Sequence, residues 1–398
     1  MEQRLSEEIL GEYLPLTEFY YLLHSHPELS FEEFHTAEAI ALRLKQEGIA
    51  VRPVAGTGVL AEIRGERPGG SVDRAVVLRA DIDALPIEEQ SAVRVQSLTH
   101  GVMHACGHDL HTTVLLGTLI LLGRRRRDFS GRVFGLFQPG EEKNPGGATL
   151  VLSENPFEGV NISAFIGLHV EPMLPTGHFG IRKGKYMASS DELRFTLRGR
   201  GGHAALREGM RDPIAATAKL IDFLYEIPSL SPDKSLPTIV SIGRIEADGA
   251  TNIVPDESRL EGTMRCFDEG WRAEIKSLIR DRAMRVEAET GVAVEVEISE
   301  GYPSVVNDSA LALRAERLAA ELGTVHDLPL RPTSEDFGFY TELYPSLFFR
   351  LGVGYQGDDF AAGRAGKLHT AALCPDPKAI AYGVAVEESL VLDILNSK

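Results

Sequence analysis

Apolar residues recur along this chain in two rhythms, and the change of rhythm divides it. Up to about residue 184, helical spacing alternates with short unbroken apolar runs. Residues 16–23 read as a helix with Pro15 in its first turn, where a missing N–H is tolerated. Residues 32–48 read as a second helix closed by Gly48. The β-rich runs 75–78, 133–137 and 164–168 read as buried strands, and their alternation with helices predicts a mostly parallel sheet. From Glu192 onward, polar and apolar residues alternate. Strands are predicted at 192–199, 238–245, 257–266 and 292–298, with helices at 213–225 and 271–290. That order, β-α-β-β-α-β, is the plan of a ferredoxin-like domain. Residues 299–398 return to helices and apolar runs such as 347–351. The expected organisation is therefore an α/β domain built from 1–184 and 299–398, with 185–298 inserted.

The three buried runs end alike. The first reaches Asp81 and Asp83, the second Glu141 and Glu142, the third His169. In open α/β sheets ligands bind outside the carboxyl ends of the strands, so these side chains are expected at one site.

The densest chemistry lies at His104-Ala105-Cys106-Gly107-His108-Asp109-Leu110-His111, just before a helix predicted to reach residue 122. Three histidines, a cysteine and an aspartate within eight positions point to metal binding rather than to core packing or helix capping. A thiol before a helix N-terminus is expected to have a lowered pKa, which favours a metal-binding thiolate. Cys106 and His108 flank Gly107 and can face one ion; His111, on the helix, reads as packing or as a support behind the ligands. Adjacent carboxylates on a turn point apart, so one of Glu141 and Glu142 can bind metal while the other acts as a base. His169 ends an apolar strand, where a satisfied core histidine is the alternative, and His369 lies in a loop without a signature of its own. Asp81 and Asp83 are candidates for orienting ligand histidines. Two further loops, Gly201-Gly202-His203-Ala204-Ala205 and Thr251-Asn252-Ile253-Val254-Pro255, carry His203 and Asn252 and could equally be plain turns.

Composition narrows the classes. The chain has 398 residues, 43% of them hydrophobic and 25% charged, as in globular proteins. A formal net charge of −17, spread along the chain, disfavours nucleic acid, whose phosphates call for clustered Lys and Arg. The basic run Arg124 to Arg127 follows a long apolar stretch and reads as a helix end. Three cysteines (Cys106, Cys266 and Cys374) suit a reducing compartment. The acidic first ten residues lack signal-peptide features, and the longest apolar run, 114–122, is too short to span a membrane. The expected location is cytoplasmic.

Taken together, these segments resemble the aminoacylase-like dinuclear metallohydrolases, in the branch of hippurate hydrolases, N-acetyl-diaminopimelate deacetylases and auxin-conjugate hydrolases. The resemblance also covers His24-Ser25-His26-Pro27-Glu28-Leu29, Arg79 to Pro86, Gln138-Pro139-Gly140-Glu141-Glu142, Gly167-Leu168-His169, Ser334-Glu335-Asp336-Phe337 and Leu368-His369, in fixed order across nearly the whole chain. It implies an α/β catalytic domain with an inserted lid, and two divalent ions per subunit held by Cys106, His108, Glu142, His169 and His369, with Cys106 bridging. Zinc or manganese is implied, with cobalt or nickel as alternatives. Glu141 would be the catalytic base, His203 would stabilise the oxyanion, often from a partner subunit, and Asn252 would contact the substrate carboxylate. The implied reaction cleaves the amide bond of an N-acyl-L-amino acid; a carboxypeptidase or dipeptidase on the same scaffold is the nearest alternative, and a short peptide then the substrate. A homodimer through the lid is implied, without nucleic-acid or membrane partners. A thiol hydrolase with Cys106 as nucleophile and a non-catalytic binding protein are the rival classes. Two stretches depart from the family pattern: 206–211 stands where the family has Pro-His, and 352–366 carries an insert, expected to be flexible, at 356–363.

Overall fold

The computed structural model describes residues 5–397; the outermost positions of the expected first and third segments, 1–4 and 398, lie outside the described residues. The chain forms two compact units. One holds the chain up to Gly184, Val306–Pro329 and the chain from Phe339; the other holds Lys185–Val305 and Leu330–Gly338.

In the first unit, β1 (Ala50–Val54), β2 (Gly58–Arg64), β3 (Arg74–Asp81), β4 (Arg132–Gln138), β5 (Asn161–Pro175) and β6 (His178–Ile181) belong to an eight-stranded sheet. Its order is β1-β2-β4-β3-β5, followed by Ser346–Gly354, β6 and Thr324–Asp327. The middle of the sheet, β4, β3, β5 and Ser346–Gly354, is parallel, and the antiparallel pairs lie toward its edges. The fold is thus α/β with a mostly parallel central sheet.

Helices α1 (Glu7–Ser25), α2 (Phe34–Gln46) and α3 (His108–Arg124) belong to the same unit. α3 is buried from His108 to Leu122, between α1 and the C-terminal helix Ala379–Asn396, as suits a helix apolar on every side. α1 is longer than its apolar spacing predicts. Ser6 caps it by accepting Ile9 N–H, and Pro15 falls in its interior rather than its first turn. β5 also outruns its prediction, continuing past His169 to Pro175 because Ser346–Gly354 keeps pairing with it. The chain leaves β3 through α3 to β4 on one side and reaches β5 on the other. Strand order therefore reverses about β3, the point where ligands bind in such sheets.

The second unit has a four-stranded antiparallel sheet in the order Ile239–Glu246, Glu257–Arg265, Asp191–Arg198, Ala293–Glu300. Leu193, Phe195 and Leu197 alternate inward, toward the helices Pro213–Leu230 and Glu269–Thr290. This unit runs past residue 298 because its exit is tied to its entry: Gly301 N–H and Tyr302 N–H donate to the carbonyl and hydroxyl of Ser190. Residues 330–338 join it through Ala188 N–H, which donates to the Arg331 carbonyl. Residues 356–363 include a one-turn helix, Asp358–Ala361. Among the described residues no helix is long and apolar enough to cross a membrane.

Candidate metal centre

The turn that opens α3 sets the geometry. Gly107 has φ +83°, and a Cβ on it would stand 2.6 Å from a methyl of Val170, so only glycine fits. This close approach to β5 puts the Cys106 Sγ 3.3 Å from His169 Nε2. The same Sγ lies 3.3 Å from Nε2 of His369, whose loop is anchored by His369 N–H donating to the Ala105 carbonyl. Two donor groups result, Cys106/His108/His169 and Cys106/Glu142/His369, and they share the one sulfur. A third set joins His108 to Glu141 and Glu142.

The imidazoles are fixed from behind. His108 Nδ1 donates to the Asp83 carbonyl (2.9 Å) and carboxylate (3.1 Å), which turns Nε2 inward. His169 Nδ1 donates to the Val170 carbonyl at 2.8 Å and likewise leaves Nε2 as the lone-pair atom. Burial, followed by the charge of Arg350 opposite it in the register, holds His169 neutral well below the usual histidine range. Asp81 plays a different part from Asp83. It accepts from Arg79 and from His111 Nδ1, both at 2.6 Å, while His111 Nε2 accepts Val170 N–H at 2.9 Å. With both nitrogens engaged, His111 has no donor to offer an ion; it locks β5 to β3.

These residues fit a metal. His108 Nε2 and Glu142 Oε1 are buried, have no well-aligned hydrogen-bond partner among the described residues, and face each other at 3.9 Å; Oε1 lies 3.2 Å from His369 Nε2. Ligands around one tetrahedral ion at ordinary metal–N and metal–S lengths stand roughly 3.5 Å apart. Thiolate, imidazole and carboxylate are the donors that bind zinc and other divalent ions. The packing around the Cys106 thiol works against the lowered pKa that its helix position favours. Burial, reinforced by Glu142, pushes it up, outweighing His108 and His369.

His203 and Asn252 lie on the other unit, brought together by a two-stranded sheet pairing Gly202–His203 with Ile253–Val254. Ala204 N–H donates to the Asn252 carbonyl at 2.9 Å. Ala205 N–H donates to His203 Nδ1 at 3.2 Å, which puts the ring proton of the neutral imidazole on the exposed Nε2.

Sequence reasoning passed over a buried cluster beside the centre. His24 bridges Asp109 (2.6 Å) and Glu89 (3.1 Å). Burial opposes its charge, yet these hydrogen bonds raise its pKa to about 10. In the sequence His24 falls within a segment that carries the family resemblance, with no spacing that singles it out.

The model of peptidase family M20/M25/M40 matches residues 77–393. N-acetylcysteine deacetylase of Bacillus subtilis (strain 168) is 40% identical over 335 residues, 83% of this chain and 86% of that protein. Thermostable carboxypeptidase 2 of Saccharolobus solfataricus is 32% identical over 378 residues, 94% of each chain. Among solved structures, the Bacillus subtilis YXEP protein, described as a dinuclear metal binding peptidase of the M20 family, is similar with a TM-score of 0.83. It is 33% identical, with 98% of this chain and 99% of that one covered.

Proposed function

Because this chain belongs to peptidase family M20/M25/M40 and is a hydrolase of amide bonds, we propose that it deacylates N-acyl-L-amino acids, releasing a carboxylate and a free amino acid. The observation that most supports this reading is the pair of donor groups sharing the Cys106 sulfur, with Glu141 beside them. In this reading Cys106, His108, Glu142, His169 and His369 would hold two divalent ions, zinc or manganese, with the Cys106 sulfur common to both donor groups. When bound, the ions supply an acidified water and an electrophile for the carbonyl oxygen.

The chain's own residues do the rest. Glu141 takes a proton from the attacking water and passes it to the departing nitrogen as the carbon–nitrogen bond breaks. His203 offers Nε2–H to the carbonyl oxygen as negative charge develops there. Asn252 contacts the substrate carboxylate. Asp83 keeps the His108 ring in its ligating tautomer, and Asp81 acts indirectly, through His111 and β5. The protein works in the cytoplasm as a homodimer joined through the edge strand Ala293–Glu300, with His203 serving the partner's site.

The similarity to N-acetylcysteine deacetylase supports a small acyl group such as acetyl. The similarity to a carboxypeptidase, covering more of both chains, supports a second reading in which the acyl group is itself an amino acid. Turnover of N-acetyl-amino acids against dipeptides, each with several divalent ions, separates the two. Glu141→Gln tests the chemistry common to both. Turnover should fall by about a hundredfold to ten-thousandfold with both ions still bound; near-normal turnover would remove Glu141 from the mechanism.

A further inference from the structure

The link between α1 and α2 takes no part in the chemistry above, yet it reaches the turn that carries Glu141. Glu33 stands at the N-terminal boundary of α2, where a carboxylate ordinarily caps a helix in water. It makes no capping bond and is fully buried instead. Its Oε1 accepts Gly140 N–H at 2.8 Å and Phe31 N–H at 2.9 Å, and its Oε2 accepts the Thr57 hydroxyl. The Gly140 carbonyl in turn accepts Gly147 N–H at 2.9 Å, so the peptide groups on both sides of Gly140 are held. Phe31 closes the remaining direction: Gly140 has φ +59°, and a Cβ on it would stand 2.2 Å from the Phe31 ring. Phe31 itself is a bulky residue at φ +68°, a conformation kept only where the surroundings impose it. One residue earlier, Ser30 donates to Asp83 Oδ2 at 2.7 Å.

A buried carboxylate is unfavourable unless its oxygens are satisfied, and an apolar side chain would fill the same space without that demand. Here the donors come from the turn before the two glutamates, from β2's approach and from the link itself. We propose that Glu33 is a positioning residue: by holding the Gly140 peptide it fixes the direction in which Glu141 presents its carboxylate. The inference rests on Glu141 being the base.

The experiment compares Glu33→Ala, which removes the acceptor, with Glu33→Gln, whose Oε1 can still accept both N–H groups. Misplacing a reacting group by about an ångström lowers a rate by roughly a hundredfold. For Glu33→Ala, kcat should fall by about tenfold to a hundredfold, with KM little changed and the metal content that of the parent. Glu33→Gln should restore most of the rate. In the metal-free protein, amide exchange across 138–142 should quicken in the alanine variant and not in the glutamine variant. Unchanged kcat and exchange in folded Glu33→Ala would overturn the proposal, as would loss of the ions together with activity. If the alanine variant does not fold, Thr57→Val and Glu33→Asp decide: a reduced kcat with parental KM and metal content supports positioning, and an unchanged kcat overturns it. Glu141→Gln run in parallel keeps the two ideas apart, since near-normal turnover there defeats the base assignment whatever Glu33 does.

Discussion

Asp83 accepts the backbone N–H of Glu142 through Oδ2 at 3.0 Å, across 59 residues of sequence. Through Oδ1 the same carboxylate receives His108 Nδ1 at 3.1 Å, so one side chain sets both the His108 ring and the backbone of Glu142. Burial opposes its charge, but the hydrogen bond from His108 and the other donors keep Asp83 ionised below the usual carboxylate range. Asp83→Ala should weaken metal binding by about tenfold to a hundredfold, the usual effect of losing such a support. Titration of the purified variant with zinc or manganese measures it, and parental affinity would show that the ligands hold their own geometry.

Cys106 provides the second prediction. A thiol whose pKa is pushed up by burial is a poor nucleophile, whereas an aspartate in its place can still bridge two ions. Chelation should therefore abolish turnover reversibly, and Cys106→Asp should keep measurable hydrolysis. A thiol hydrolase would do the reverse, surviving thorough chelation and dying in the aspartate variant.

The third prediction concerns His203, whose Nε2–H is exposed. If it serves the partner's site, mixing inactive Glu141→Gln subunits with inactive His203→Ala subunits should restore activity. One site of the mixed dimer then has native Glu141 and a native partner histidine. Demonstrated subunit exchange with no recovery would falsify the arrangement in trans.

Glu387 in the C-terminal helix gives a prediction about pH. It is buried in the core, with one hydrogen bond from Thr118 at 2.9 Å, and burial raises its pKa from 4.5 to about 8. For a carboxyl raised on folding, the stability of the neutral form is fully present below pH 4.5 and is lost as pH rises through about 8. Glu387→Gln keeps the shape and cannot ionise. Its stability relative to the parent should therefore grow between pH 5 and 8, by an amount on the order of a few kcal/mol. Thermal melts at the two pH values test this; a difference independent of pH would mean that folding does not raise the pKa of Glu387.

The amino-acid sequence by itself determined the α/β class, the ferredoxin-like insertion and the strand ends at or just beyond which Asp81, Asp83, Glu141 and Glu142 stand, whereas His169, read as a strand end, lies inside β5. The reason is local: a buried strand must be apolar, so a charged or imidazole group at its end interrupts a pattern that neighbouring residues alone define. Only the tertiary structure decided what surrounds those groups. Glu33 and His24 reach partners 107 and 85 residues away, and nothing in the spacing of either segment encodes the distance. His203 and Asn252 read as separate turns until the pairing of His203 with Ile253 brings Asn252 beside it. Cys106 shows the limit of local reasoning most directly. Its place before a helix is written in the sequence and argues for a low pKa, but burial is a property of everything packed around it. Desolvation falls on the charged form whatever the local helix favours, and here it prevails.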